Sequence, residues 1–581
     1  MDNLQPILLS FALSIAFLWA LKIKNHKLGI WIFLLLGLLP VVFIYIRHPD
    51  FRVYDWHGFF HASIVYQIVN GSIPPNNPIL AGEPLLYPWG SHLLVAGIVS
   101  LLHLSPPTVF ALLNLCFLAL TLIVAFKISL FVYSDRLSGL FAGFLSIFGI
   151  TFIHRGPVAE ILNRIDSLVK VKLFRMDVRA IPVIAKFVSS GANNQFGILL
   201  FAVFIYSILH IFCHSKKARI YYFTVFISSL GIGFFYPIYL PAIAASSLAC
   251  CTVIYLQQGR VVLTKIFGLT TCIILGIVPM LPYLHQITTG KAQTAAITLA
   301  LLKKQHLFTQ SLTYLVTVLP ILIVLIWKRK LIIKMIRNAN LSVMILITIV
   351  VTTALMWIFM TSPTGVEYKY LILSVFTLGI FSSFSFRDLY SNQRIICFIL
   401  LTIFLIPMSS FMLYDSGQKP ITDPYIEKGM YLFHKQPNEN ALYSYISSQT
   451  KPDAIFVDSY LTIPVFGRRQ LYIGLDIRRK TFGWGRNDGW TSKAKRLLNE
   501  QGYPSEITDL RRRLASEIYD DTTNKISNYA LNKFTKISIK NDVYIVARDA
   551  KTNDKIAHNE GFSKVFESGV TALYKLSNHL K

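Results

Sequence analysis

Nine residues after an apolar run ending at Ile46, the chain reads Asp55, Trp56, His57, Phe60 and His61. A carboxylate in that place can take a proton from a hydroxyl group, and an Asp with two His at this spacing can also share a divalent metal. The same aspartate can instead cap the N-terminus of a helix, where its charge satisfies free amides. The histidines also suit a membrane interface with no chemistry at all. The spacing predicts an amphipathic helix that starts near Asp55 and runs to about Val69. Two further groups invite the same question. Residues 154–179 carry Arg155, Arg164, Lys170, Lys172, Arg175 and Arg179 with Glu160, Asp166 and Asp177, and residues 362–370 carry Glu367 and Lys369 between Tyr368 and Tyr370. Both suit phosphate contacts, and both also suit solvated interface segments.

The elements that position these residues are membrane spans. Of 581 residues, 54% are hydrophobic and only 15% charged, and the mean hydropathy is +0.53, a polytopic membrane composition. The net charge of +27 is gathered in short clusters between apolar runs. This is a positive-inside pattern and no sign of a nucleic-acid partner. The six cysteines lie in or beside apolar runs and imply neither disulfides nor zinc. The N-terminus lacks the basic region and cleavage site of a signal peptide and reads as a retained span.

Apolar runs near 5–22, 28–46, 107–127, 136–153, 195–213, 219–235, 238–256, 262–284, 310–327, 340–360, 369–386 and 394–412 predict about twelve spans. Segment 85–104 is ambiguous. Leaving it uncrossed puts the basic clusters at 22–27, 127–136, 214–219, 260–265, 328–337 and 387–394 on one side, so it is read as an interfacial helix. Both termini are then outside, with long outer segments at 47–106, 154–194 and 285–309. Of the ten acidic residues before 413, all but Asp135 and Asp388 face outward. None sits at mid-span, as transporters would require. From residue 413 the composition is that of a soluble domain. Helical patterns occur at 437–450 and 492–502, strands at 454–459, 471–475 and 541–548, and a hairpin at 562–576 turning at Ser568-Gly569. The expected architecture is a membrane domain, 1–412, with a small extracytoplasmic mixed α/β domain, 413–581. The Gly-rich aromatic loop 482–490 reads as a surface loop or a docking segment.

The first outer loop joins Asp55 and His61 to Gly71, Pro74 and Asn77-Pro78, then to Tyr87-Pro88 with Gly90 and His92. This pattern resembles the first outer loop of GT-C type glycosyltransferases, which include protein O-mannosyltransferases, lipid A aminoarabinose transferases and oligosaccharyltransferases. It is more similar still to a bacterial group with a C-terminal outer α/β domain. No D-x-D metal motif and no W-W-D sequon motif is present, which argues against an oligosaccharyltransferase. The resemblance implies an inverting sugar transfer from a polyprenyl-phosphate carrier, with Asp55 as general base. It also implies a second acidic group in the second outer loop, with Asp166 first and Glu160 and Asp177 as alternatives. His57, His61, Tyr87, His92, Arg155, Glu367 and Lys369 are the implied substrate or phosphate contacts. No cofactor is required, and a divalent cation is left open.

The implied partners are a lipid-linked sugar donor, a glycan, lipid or protein acceptor, and membrane lipids. The implied place is the bacterial cytoplasmic membrane, with the site facing the periplasm or exterior. Two competing readings remain. A lipid-linked polysaccharide polymerase, ligase or exporter would carry Arg and His in a large late loop, and an envelope scaffold would tolerate Asp55→Asn.

Overall fold

The computed structural model describes residues 5–23, 26–47, 56–149, 183–187, 193–214, 218–288, 298–299, 304–338, 340–361, 368–410, 412, 439–458, 462–474, 503–519, 525–538 and 540–577. The helices up to residue 148 are α1 (Gln5–Leu21), α2 (His26–Arg47), α3 (Trp56–Val69), α4 (Gly90–Leu102), α5 (Pro106–Tyr133) and α6 (Arg136–Phe148). Next come α7 (Asn193–Cys213), α8 (Ala218–Phe235), α9 (Leu240–Gln258), α10 (Leu263–Ile277), α11 (Leu281–Thr288) and α12 (Lys304–Trp327). The later helices are α13 (Arg329–Arg337), α14 (Leu341–Phe359), α15 (Tyr368–Asn392), α16 (Arg394–Ser410), α17 (Asn440–Gln449), α18 (Ser505–Tyr519), α19 (Asn528–Ser538) and α20 (Ala550–Ala557). Two units emerge: Met1–Pro49, Ala111–Leu284 and Ala296–Lys419 form one, and Asp50–Phe110, His285–Ala295 and Pro420–Lys581 the other. The first outer loop therefore groups with the C-terminal region, where a division by sequence alone leaves it with the spans.

The first unit is helical because apolar chain in a bilayer must satisfy its backbone polar groups internally. Every one of the twelve apolar runs falls on helix, although 136–153 shortens to Arg136–Phe148. Among the described residues, seven stretches are long and apolar enough to cross a membrane. One of them, Pro237–Ile287, holds 51 residues and turns back at Gly259, whose φ of 65° suits a residue without a Cβ. At the centre lies α15, with Ser374, Thr377, Ser382, Ser383 and Ser385 all buried. A Cβ on its Gly379 would stand 2.6 Å from the Ser146 backbone, so α15 and α6 approach as closely as two helices can. Hydroxyl pairs stitch the bundle, among them Ser129–Ser383 at 3.0 Å and Ser10–Ser409 at 2.8 Å. A two-residue strand, β1 (Thr298–Leu299), pairs antiparallel with β2 (Met360–Thr361).

The basic clusters converge on one end of this unit. Arg136 donates to the Ile23 carbonyl at 3.4 Å, Arg387 pairs with Asp135 at 3.4 Å, and Lys328 pairs with Asp388 at 2.8 Å. His214 packs against Phe131, and Tyr222 donates to the Lys265 carbonyl. Helices α2 and α5 both have an end here, and residues 85–104 fall in the chain between them. The helix formed there, α4, has 13 residues, about 20 Å against roughly 30 Å of hydrocarbon.

The second unit holds a five-stranded sheet in the order β4-β3-β5-β7-β6. Its strands are β3 (Ile455–Val457), β4 (Gln470–Leu471), β5 (Val543–Ala547), β6 (Phe562–Ser568) and β7 (Thr571–Leu576). β3 is parallel to β4 and β5, and β7 is antiparallel to β5 and β6. The expected strands are present, with the one at 471–475 reduced to Gln470–Leu471, and the expected hairpin turns at Gly569, φ 59°. The helix expected over 437–450 is α17; that expected over 492–502 lies outside the described residues, as does loop 482–490. At the ends of β3 and β5, buried Arg548 reaches both oxygens of Asp458, at 2.8 and 2.6 Å, and also pairs with Glu439. Three charges out of water hold only because each is bonded, and the network fixes which ends of the strands meet.

Candidate active site

The helix predicted after Asp55 forms as α3, beginning at Trp56. It ends where Ser72 N bonds the Gln67 carbonyl and Gly71 N the Ile68 carbonyl, with Gly71 at φ 93°. This is a glycine C-cap, which a side chain at that position would strain. The inner face of α3 carries His61, which is 3% exposed, and α4 supplies His92, which is fully buried. Their rings stack 16° from parallel, and His61 Nδ1 lies 2.6 Å from His92 Nε2. One nitrogen of that pair must carry a hydrogen and the other a lone pair, so the two rings are not both imidazolium. Burial holds His92 neutral by pulling its pKa from 6.5 to about 3. Phe60, Tyr87 and Phe110 wall the pair edge-on. Three predicted contacts, His61, Tyr87 and His92, thus meet. His92 has no surface to offer a phosphate, however, and its geometry suits orienting His61.

The Gly71-to-Tyr87 stretch has another task in this geometry. Asn77, from the quoted pattern, donates to the Tyr503 hydroxyl at 3.0 Å and accepts from its own loop at Ile79 N. Tyr503 also bonds the Pro84 carbonyl and receives Leu86 N at 3.4 Å. Arg511 donates to the Ala81 carbonyl at 2.7 Å and pairs with Glu83 at 2.8 Å. Gln470 reaches Gln67 at 2.9 Å. Leu471 N and O bond Pro78 O and Ala81 N, each at 2.9 Å, so the loop covers the open edge of β4. These residues dock the loop on the sheet, and the Glu83 carboxylate is spent on that docking. Tyr503 and Arg511 escaped sequence reasoning because no spacing signal marks a partner more than 400 positions away.

In the helical unit, at the end away from the basic clusters, Lys369 opens α15. Its ammonium sits 4.7 Å from the centroid of Tyr236 and 5.9 Å from that of Tyr368, a cation held against ring faces. Tyr236 donates to Asn194, and Tyr370 to the Ile238 carbonyl at 3.2 Å. Gly197 admits Tyr236 and Tyr239 against α7, since a Cβ there would meet both rings within 2.7 Å. The Tyr239 hydroxyl is fully buried and has no hydrogen-bond partner among the described residues. The Lys369 ammonium, only partly buried, is a cation that can meet an anionic oxygen. Sequence reasoning found Lys369 and missed Asn194, Tyr236 and Tyr239. The signal was there in FYPIY, residues 235–239, where tyrosines flank a proline between two spans.

Asp55, Arg155, Asp166 and Glu367 lie outside the described residues, and His57 belongs to α3 without a described side chain. Among the described residues no group of three His, Cys, Asp or Glu side chains is placed to hold a metal.

The fold of this chain has solved counterparts. It is similar to ArnT from Cupriavidus metallidurans, solved bound to undecaprenyl phosphate, with a TM-score of 0.51 at 9% identity over 92% of this chain and 96% of that one. Weaker likeness extends to the Archaeoglobus fulgidus oligosaccharyltransferase in its apo form, at a TM-score of 0.39, 12% identity, 90% of this chain and 70% of that one. The same archaeal enzyme, AglB, solved with an inhibitory peptide and a dolichol-phosphate, gives a TM-score of 0.38 at 12% identity over the same shares, 90% and 70%. No protein-family description and no curated protein matches the chain.

Proposed function

We propose that this chain is a multi-pass glycosyltransferase that moves a sugar from a polyprenyl-phosphate donor to a cell-envelope acceptor, with inversion at the anomeric carbon. The observation that carries this reading is the likeness to ArnT over nearly the whole of both chains. The acceptor hydroxyl attacks the anomeric carbon as the bond to the phosphate oxygen breaks. Its proton passes to the Asp55 carboxylate, and the electron pair leaves with the polyprenyl phosphate. A phosphate is already a good leaving group, so the protein supplies a base, cations and position.

Lys369, held against the Tyr236 and Tyr368 rings, is the described cation best suited to the departing phosphate. Arg155 is a second, and Glu367 orients Lys369. Asp166 is the second acidic group. His61, oriented by His92, is assigned to donor binding together with Tyr87 and His57. Any divalent cation would have to draw on side chains beyond the described set. By the positive-inside rule the basic end faces the cytoplasm, which puts Lys369 and the C-terminal unit on the periplasmic or outer side.

The test is transfer from polyprenyl-phosphate monosaccharides by the purified full-length protein, read as release of polyprenyl phosphate and anomeric configuration of the product. Asp55→Asn is expected to lower kcat by about 10²–10⁴-fold; a rate equal to wild type removes Asp55 as the base. Retention of configuration would sink the inverting mechanism.

A further inference from the structure

The end of the helical unit opposite Lys369 carries features that sugar transfer does not use. Helix α13 has nine residues, RKLIIKMIR, none of them buried. That is too short to cross a bilayer, and its amphipathic pattern suits the interface. At 100° per residue, Lys330, Lys334 and Arg337 share one arc, while Leu331, Ile332, Ile333, Met335 and Ile336 occupy the remainder with Arg329 between Ile336 and Ile333. Both carboxylates described in this unit are already engaged. Asp388 holds Lys328 at 2.8 Å, and Asp135 pairs with Arg387 while capping α6 through Ser138 N. Arg329, Lys330, Lys334 and Arg337 therefore face solvent with no carboxylate partner among the described residues.

Where α12 meets α13, Ile326, Trp327, Lys328, Arg329, Lys330 and Leu331 line an open cleft of about 400 Å³. Ile326 is 61% and Trp327 50% exposed. The cleft lining thus combines cations with an indole and aliphatic chains.

We infer that this cleft and the basic arc of α13 bind an anionic phospholipid, with the phosphate headgroup on Arg329, Lys330, Lys334 and Arg337 and the acyl chains on Ile326 and Trp327. A free phosphate or an acidic peptide would match the charge and leave Ile326 and Trp327 uncovered; a phospholipid matches both. An indole at headgroup depth beside lysine and arginine is also the arrangement membrane interfaces select. The inference stands apart from the glycosyltransfer reading, since none of these residues belongs to that site.

The experiment uses the full chain in phosphatidylcholine vesicles containing either brominated phosphatidylglycerol or brominated phosphatidylcholine. The fluorescence lost by wild type and not by Trp327→Phe isolates quenching at Trp327. Half-quenching is expected at a several-fold lower fraction of the brominated anionic lipid than of the zwitterionic one. Each of Arg329→Gln and Lys330→Gln should reduce that preference by up to roughly fivefold. Arg329→Lys, which keeps the charge, should retain it, so a variant that loses preference through misfolding is told apart. Equal quenching by the two lipids in wild type overturns the proposal. So does a preference untouched by both glutamine variants, or one that millimolar inorganic phosphate abolishes, which would mark a small-anion site.

Discussion

At the scale of single residues, the two histidines and Lys369 carry opposite electrostatic instructions. His92 is buried in a wall of aromatic rings, and burial outweighs its backbone bond with Trp89, so it stays neutral in the fold. The unfolded chain would bind a proton near pH 6.5, and the folded one only near 3. The stability owed to neutral His92 is therefore complete above 6.5 and lost progressively as pH falls below it. Thermal unfolding of wild type should fall more steeply below pH 6.5 than that of His92→Gln; parallel curves would refute the buried neutral ring. Lys369 lies against two ring faces. Lys369→Gln should lower kcat/KM for the lipid-phosphate donor by about 10–100-fold, with Lys369→Arg intermediate, because one charge-assisted bond to the leaving phosphate contributes roughly 1.5–3 kcal/mol. Unchanged kinetics in Lys369→Gln would take Lys369 out of the donor site.

At the scale of elements, the first outer loop and the sheet behave as one piece. A dozen residues from Asn77 to Pro88 lack regular structure, yet Tyr503, Arg511 and Leu471 satisfy their polar groups one by one. Burial pushes the Tyr503 phenol up to about 12, so it remains a donor throughout the physiological range. Arg511→Ala removes the partners of Glu83 and of the Ala81 carbonyl together and should destabilise the second unit by about 1–3 kcal/mol. Limited proteolysis should then cut between residues 74 and 88 faster than in wild type, with Arg511→Lys partly protective. Unaltered cleavage would mean that the loop holds itself. Elements were mostly legible from sequence: the Asp55-adjacent helix, the twelve helical runs and the β6–β7 hairpin follow from periodicity and turn chemistry. The role of Gly71, Asn77 and Pro78 was not legible, because a pattern found beside a carboxylate reads as chemistry until its hydrogen-bond partners are seen.

At the scale of the whole molecule, charge distribution sets orientation. The basic clusters meet at one end of the helical unit, and the contacts of Arg136, Arg387 and Lys328 make that convergence physical as well as statistical. On the proposed orientation, Ser391→Cys at that end and Val570→Cys in the exposed hairpin turn should label from opposite sides of sealed cells with a membrane-impermeant maleimide that shifts the mobility of the chain. Both residues are exposed. Labelling of both from the same side would overturn the sidedness and, with it, the periplasmic site.

The sequence by itself determined the membrane class, the helical runs and the presence of a C-terminal sheet region. These depend on local quantities: the hydropathy of about twenty consecutive residues, the sign of short loops and the period of apolar positions. Only the tertiary structure decided that the first outer loop belongs with the C-terminal sheet, that His61 and His92 share a hydrogen bond, and that Tyr236 and Tyr239 join Lys369. Those outcomes depend on pairs of groups 31 to 430 positions apart. Their energies arise from burial and hydrogen-bond geometry, which no local window of sequence contains.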